Sequence, residues 1–431
     1  MEISVNDLKS IPIDKSWAYS NKSQANTSYV THAYYTYPAK FIPQIAHRLI
    51  IENSEKGDIV VDPFMGSGTT VLEALINDRA AIGVDVNKVA YLLTKVKTTP
   101  LCQTILIEEL SKISNDLNHR MNGHFVFYSR RAKSIIPENP RIDYWFTDSQ
   151  KKKLSIIIKR INEIDTEEYR EFFLIAFAQI LKSCSRWLQT SIKPQRDPDK
   201  TERDPLSLFL NQSQKMITKN AELVDFIGSE KMSHFTENRK LSPSDCRDIP
   251  CHNSSIDLIV TSPPYVTSYE YADLHQLPTI WFRYADELSD FRTQFIGSTH
   301  RKREQEDLMS SSAEHIVGQL ESFSEAAEVR CYFSDMIESF MEMKRILKTR
   351  GRLCIVIGNT KLRDVDIQNA EVFCEQLKNL NFVILNVIRR EISSKMLPSL
   401  RDPVTGRFAH SKTKKKVLIH PEEFIIIAEK M

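Results

Sequence analysis

The chain has 431 residues, 41% of them hydrophobic, which suits one large soluble domain with insertions or two domains. A formal charge of +2 leaves any nucleic-acid partner to be argued from local patches instead of from the total. Seven scattered cysteines without C-x-x-C spacing, no apolar stretch of transmembrane length and no charged-then-apolar leader at Met1 lead us to expect reduced thiols in a cytoplasmic protein with no membrane partner.

The first thirty or so residues are polar and mixed, and say little. From His32 to Pro43 proline and aromatic residues are dense, which predicts an ordered loop packed over something flat or, more simply, an aromatic core cluster, followed by an amphipathic helix over 44–51. The run Asp58-Ile59-Val60-Val61-Asp62-Pro63-Phe64-Met65-Gly66-Ser67-Gly68-Thr69-Thr70 then reads as strand, glycine turn and helix start. Gly66 and Gly68 permit a tight turn and a close approach to a ligand, and Thr69 and Thr70 open a helix whose free N–H groups favour a carboxylate or phosphate. A second strand, 80–86, ends near Asp85, placed to accept hydrogen bonds from the ribose hydroxyls of a nucleoside or to sit solvated at the strand end.

A glycine turn with an acid about twenty residues on serves dinucleotide and S-adenosyl-L-methionine (SAM) sites alike. Here the G-x-G-x-x-G spacing is not met, and the Gly-Lys-Ser/Thr of a phosphate-binding loop is missing. Asp62 before the turn and Phe64 within it fit a SAM pocket better.

Residues 101–240 are predicted to be a mainly helical insertion, with helices over 151–164 and 169–188, and 193–205 is charged and proline-rich, hence a loop or linker. The sheet is expected to resume at 244–250, where Asp245 either caps a helix or contacts a base edge. Cys246, Cys251 and His252 lack the paired spacing of a zinc site, so no metal is expected.

The β-branched run Ile256–Val260 reads as a buried strand delivering Thr261-Ser262-Pro263-Pro264-Tyr265 to the sheet edge. Two prolines stop further pairing and hold the carbonyls rigid, and a tyrosine ring follows. A hydroxyl, a fixed carbonyl and a ring suit a flat heterocycle carrying an amine, with the ring stacked and the oxygens accepting two N–H hydrogens. Tyr269, Tyr271 and Trp281 are read as packing, and the polar stretch 283–328, with His300-Arg301-Lys302-Arg303, as a mobile excursion. Helices over 332–347 and 371–380 and strands over 352–357, 382–388 and 423–428 complete the chain. A basic segment at 389–416 (Arg389, Arg390, Lys395, Arg401, Arg407, His410, Lys412, Lys414, Lys415, Lys416) suits phosphate contacts.

Taken together, the two key stretches resemble those of the DNA amino-methyltransferases, which methylate the exocyclic nitrogen of cytosine or adenine. Asp62-Pro63-Phe64-Met65-Gly66-Ser67-Gly68-Thr69-Thr70 is similar to the family's SAM-binding motif, and Thr261-Ser262-Pro263-Pro264-Tyr265 to its catalytic motif. Tyr37-Pro38-Ala39-Lys40-Phe41 is similar to the segment that closes over the methionine part of SAM. The resemblance covers roughly 32–95 and 242–428. It implies an α/β fold, a Rossmann-like SAM-dependent methyltransferase sheet with a mainly helical insertion. Residues 1–100 and 241–431 would form the two parts of the methyltransferase domain. Cofactor contacts would come from Lys40, Phe41, Asp62, Pro63, Phe64, Gly66, Gly68, Thr69, Thr70, Asp85 and Asp245, and catalysis from Ser262, Pro263, Pro264 and Tyr265.

Double-stranded DNA is the implied partner, with a restriction endonuclease acting on the same site as its companion. Serine as the second residue of Thr261–Tyr265 is the form usual in N4-cytosine enzymes, where N6-adenine enzymes carry Asp or Asn. N6-adenine and RNA amino-methylation are the alternatives. A C5-cytosine enzyme would need a thiolate, and Pro250-Cys251 precedes the strand instead of following it. The target-recognition element stays open among 100–240, 283–328 and 389–416.

Overall fold

The computed structural model describes residues 5–23, 25–38, 40–122, 124–266, 271–285, 287–299, 307–392, 400–401, 417–418 and 422–431. Its frame is a seven-stranded sheet of β1 (Ile59–Asp62), β2 (Ala80–Val84), β3 (Arg239–Ser242), β4 (Ile256–Thr261), β5 (Leu347–Ile357), β6 (Phe382–Glu391) and β7 (Glu422–Lys430). The strands lie in the order β3-β2-β1-β4-β5-β7-β6, and only β7 runs antiparallel to its neighbours. Val60 and Val61 stand opposite Leu258 and Ile259, so the alternation of the two central strands sends one set of side chains to each face.

Both faces are apolar, as a parallel sheet covered by helices requires. On one, Val60, Leu258, Val260 and Val356 pack with Ile45 and Leu49 of α1 (Pro43–Asn53) and Leu72 of α2 (Thr69–Ile76). On the other, Val61, Ile259 and Ile355 meet three phenylalanines: Phe333 and Phe340 of α10 (Glu325–Ile346) and Phe373 of α11 (Asn369–Asn379).

After α3 (Lys88–Lys97) the chain leaves the sheet for the helical insertion. This comprises α4 (Gln103–Asn122), α5 (Pro140–Trp145), α6 (Asp148–Asn162), α7 (Glu167–Cys184) and α8 (Pro205–Ile227). Its own core holds Trp145, Phe172, Phe173, Phe177 and Phe209, and that core extends to Leu92 and Leu93 of α3. A short helix, α9 (Gln276–Trp281), packs its Trp281 edge-on against Phe146 and Phe177.

Three sequence expectations are revised. The strand beside β2 is Arg239–Ser242, not 244–250, because side chains divert the later backbone: Asp245 takes the amide of Arg247 and Glu342 that of Ile249. Helix α7 stops at Cys184, four residues early, and the supposed linker after it is tied down by a bridge between Trp187 and Arg196. The stretch expected to be a mobile excursion is packed where described, with Leu288, Phe291, Leu308 and Ile316 buried.

Candidate active site

The order of strands reverses between β1 and β4, and at that switch point the C-terminal strand ends leave a crevice. A cleft of ≈ 800 Å³, open to solvent, occupies it. Asp62, Pro63, Phe64, Gly66 and Thr69 line it from the β1 loop, Asp85 from the end of β2 and Asp245 from the turn after β3. Tyr37, Lys40 and Phe41 cover one side, and Ser262 and Pro264 come from the end of β4. Pro263 is buried behind them.

The glycine turn is shaped by sterics. Gly68 caps α2 at φ 69°, and a Cβ there would stand 2.6 Å from Thr94 Oγ1. Gly66 has φ 44° and lies against the Tyr37 ring. Lys97, buried at the end of α3, donates to the Ser67 carbonyl and holds the turn from below. Gly68 and Thr70, both expected to touch the cofactor, sit behind the lining and shape it indirectly.

Two carboxylates in this cleft have no cation beside them. Asp62 accepts from Thr261 Oγ1 at 2.7 Å and from the Phe64 amide at 3.1 Å. Asp85 accepts from the amides of Gly66 at 2.9 Å and Asn87 at 2.8 Å. Burial pushes both carboxyls up to about 6. Neither is in an ion pair among the described residues. A ligand bearing cationic centres and a ribose diol fits that donor-poor, acceptor-rich wall. Lys40 offers the opposite pole: among the described residues its ammonium donates only to the His32 carbonyl, 3.1 Å away, and burial lowers it to about 8, which suits a carboxylate.

Asp245 lines the cleft and also accepts from the Arg247 amide at 2.9 Å. Burial alone would raise its carboxyl, but Arg247 more than offsets this and holds it below its ordinary value. The guanidinium is bidentate, at 2.9 and 2.6 Å, so Asp245 lines the cleft with its oxygens already engaged. Arg247 also reaches Asp335 on α10 at 3.0 Å, tying the turn to the second layer.

A family model described as DNA methylase matches residues 3–95 and 256–430, which bracket both motifs and leave out the helical insertion. The chain belongs to the DNA methylase family. SAM is accordingly the methyl donor. The methylase is 27% identical to the type II methyltransferase M.MvaI of Kocuria varians over 94% of both chains. It is 30% identical to M.MjaII of Methanocaldococcus jannaschii over 38% of this chain and 30% of that one. To the DNA adenine methyltransferase YhdJ of Escherichia coli it is 32% identical over 20% of this chain and 29% of that one.

The corner formed by Ser262–Tyr265 rests on residues that no local pattern marks. Tyr332 of α10 donates its hydroxyl to the Pro264 carbonyl at 2.8 Å. Tyr265 donates to Glu423 Oε1 at 3.1 Å, and its ring lies on Gly358, where a Cβ would come within 3.0 Å of Cε2. Glu423 is ion-paired with Arg390, which is 3% exposed and also donates to the Trp17 carbonyl at 2.9 Å. Arg390 and Arg389, counted above among phosphate-binding cations, are thus engaged with Glu423 and Glu422 across the sheet. The rest of that basic segment lies outside the described residues, apart from the backbone of Arg401, as do Tyr269 and 300–303.

One further cluster had a signal in the sequence. Glu73 is an acid in the otherwise apolar helix Thr69–Ile76 and is fully buried, with His32 Nε2 at 2.7 Å and the Tyr29 hydroxyl on the same oxygen. It ties the covering segment to α2. A buried acid at an apolar helix position has to find such partners.

Proposed function

We propose that this protein is a DNA (cytosine-N4)-methyltransferase that moves a methyl group from SAM to the exocyclic amine of cytosine in double-stranded DNA. We also assign it to a restriction–modification pair with an endonuclease acting on the same sequence. The observation that carries the reading is that Ser262, the strand-end hydroxyl, opens into the same cleft as Asp62, Asp85 and Lys40. Donor and acceptor of the methyl group would meet there without an intermediate carrier.

When bound, SAM supplies an electrophilic methyl on a sulfonium. The amine lone pair of cytosine is delocalised into the ring, so the protein's task is to turn it outward. Ser262 Oγ and the Pro263 carbonyl accept the two amine hydrogens, which favours a pyramidal nitrogen and stabilises the positive charge that develops on it. The proline pair fixes the backbone that carries the Pro263 carbonyl before substrate arrives, and the Tyr265 ring receives the base face. Extruding the base from the duplex costs a few kcal/mol, offset by this stacking and by backbone contacts.

The adenine reading is kept because one relative, YhdJ, is named a DNA adenine methyltransferase. The test is incubation with methyl-labelled SAM and DNA, digestion to nucleosides and identification of the labelled one, with Ser262→Ala and Tyr265→Ala alongside. Labelled N4-methylcytosine, lost in both variants, is the expected result. Label in N6-methyladenine would overturn the base, and label in RNA alone would overturn the substrate.

A further inference from the structure

The supposed linker after α7 is a stapled hairpin. Leu188 N bonds Gln195 O and Asp197 N bonds Arg186 O, both at 2.7 Å. Lys200 donates to the carbonyls of Lys182 and Trp187 at 2.8 and 2.7 Å, and Lys182 to those of Gln189 and Ser191 at 3.2 and 2.8 Å. Two half-buried ammonium groups therefore hold this loop, and the Trp187 indole closes it by donating to Ser191 O at 3.2 Å.

This hairpin is coupled to the cleft by rigid steps. Tyr37, a cleft residue, has its ring 4.6 Å from that of His275. The next residue, Gln276, takes the Trp145 indole N–H at 2.9 Å and Arg141 at 3.1 Å. Trp145 stacks on Trp187, centroids 5.2 Å apart and planes at 22°. The hairpin thus lies a few side chains from the cofactor cover.

Its outer surface is chemically distinctive. Tyr144 is 48% exposed with the Arg196 guanidinium 4.6 Å over its ring, and Lys193 and Gln195 are exposed beside it. Neither Lys193 nor Arg196 is in an ion pair among the described residues. The nearest acid in sequence, Asp197, faces the amide of Asp199 at 3.2 Å. Two cations outside any described ion pair, an amphipathic ring, the exposed amide of Gln195 and that of Gln189, whose Oε1 faces Lys200 Nζ at 3.4 Å, suit a duplex: charge for phosphates, amides for base edges.

We infer that the 187–196 hairpin, with Tyr144, is a DNA-docking element that seats the duplex beside the cleft and reads bases next to the target. This rests on the DNA-methyltransferase reading above. It selects one part of the helical insertion from the three regions the sequence left open. Cations on the hairpin contribute affinity, and Gln189 and Gln195 contribute sequence preference.

The test uses the full chain, a plasmid and labelled SAM, with Lys193→Ala/Arg196→Ala and Gln189→Ala/Gln195→Ala double variants. The cation variant should raise the KM for DNA about tenfold or more and lower the slope of log affinity against log salt by roughly 2, one per lost phosphate contact. Its SAM affinity and its kcat at saturating DNA should be unchanged. The glutamine variant should methylate sites the native protein leaves bare, mapped at base resolution. Variants that keep the native KM, salt slope and site set, while the native protein labels DNA, would overturn the hairpin's role alone. A native protein that labels no DNA would overturn the reading beneath it as well.

Discussion

The wall we propose for the cofactor comes mostly from one stretch, residues 59–87, with Lys40, Phe41 and Asp245 beside it, whereas the wall we propose for catalysis, at Ser262, is braced by residues from Trp17 to Glu423. The first is built by backbone: two glycines with positive φ, a helix start and two strand-end carboxylates. The second is built by side chains: Tyr332 on the Pro264 carbonyl, Glu423 on Tyr265 and Arg390 on Glu423. A site that must hold a mobile cofactor is shaped by a loop that only glycine permits. A site that must hold two hydrogen-bond acceptors still is braced from three separate elements.

If the walls are separable in this way, their variants should fail differently. Ser262→Ala should have the largest effect, lowering kcat by about 10²–10³, roughly 3–4 kcal/mol of transition-state stabilisation, with SAM affinity unchanged. A parallel loss of SAM binding in calorimetry would mean the two walls act as one. Glu423→Ala comes next. It strands the buried Arg390 and should cost about 3 kcal/mol of stability, read as a fall in Tm, together with a lower kcat. Glu423→Gln keeps an acceptor for Tyr265, and so should recover more activity than stability.

Gly68→Ala attacks the other wall. The added Cβ meets Thr94 at 2.6 Å and φ 69° disfavours any side chain, so we expect SAM affinity to fall about tenfold or more and stability by about 1–2 kcal/mol. An alanine variant with native SAM affinity would show that the turn adapts.

The same contrast explains what could be read in advance. The geometry of the first wall was legible because its determinants are local: Asp62, Gly66, Gly68 and Asp85 belong to one strand–turn–helix–strand unit whose residue types carry that geometry. The hydroxyl–proline–tyrosine run was legible for the same reason. Tyr332, Glu423 and Arg390 were not, since a tyrosine inside an amphipathic helix or a Glu–Arg pair on neighbouring strands looks the same whether or not it braces an active site. The stretch 193–205 was legible as a loop up to Asp204, but its tethering was not, since the bonds that fix it reach back to Arg186, Trp187 and Leu188. The β3 boundary was misplaced because Asp245 and Glu342 compete with strand pairing for backbone amides.

The smallest expected effect, and the sharpest on the two walls, is a dependence on pH. Burial raises the carboxyls of Asp62 and Asp85 from 3.8 to about 6. Between those values the folded chain binds protons that the unfolded chain does not, so the stability of the free protein falls as pH rises through that window. A cationic ligand reverses the preference, because it needs both groups charged. SAM affinity should therefore be full above about pH 7 and fall roughly tenfold per pH unit below about 6 if one carboxylate governs, more steeply if both do. Calorimetry in buffers of different ionisation enthalpy should show proton release on SAM binding near pH 6 and none near pH 8. The catalytic wall offers Ser262 and a proline carbonyl, which do not titrate in this range, so kcat at saturating SAM should stay level while affinity drops. A kcat that falls with affinity would place a titrating group on the catalytic side, and Asp62, joined to Thr261 through a 2.7 Å hydrogen bond, would be the one to replace with asparagine.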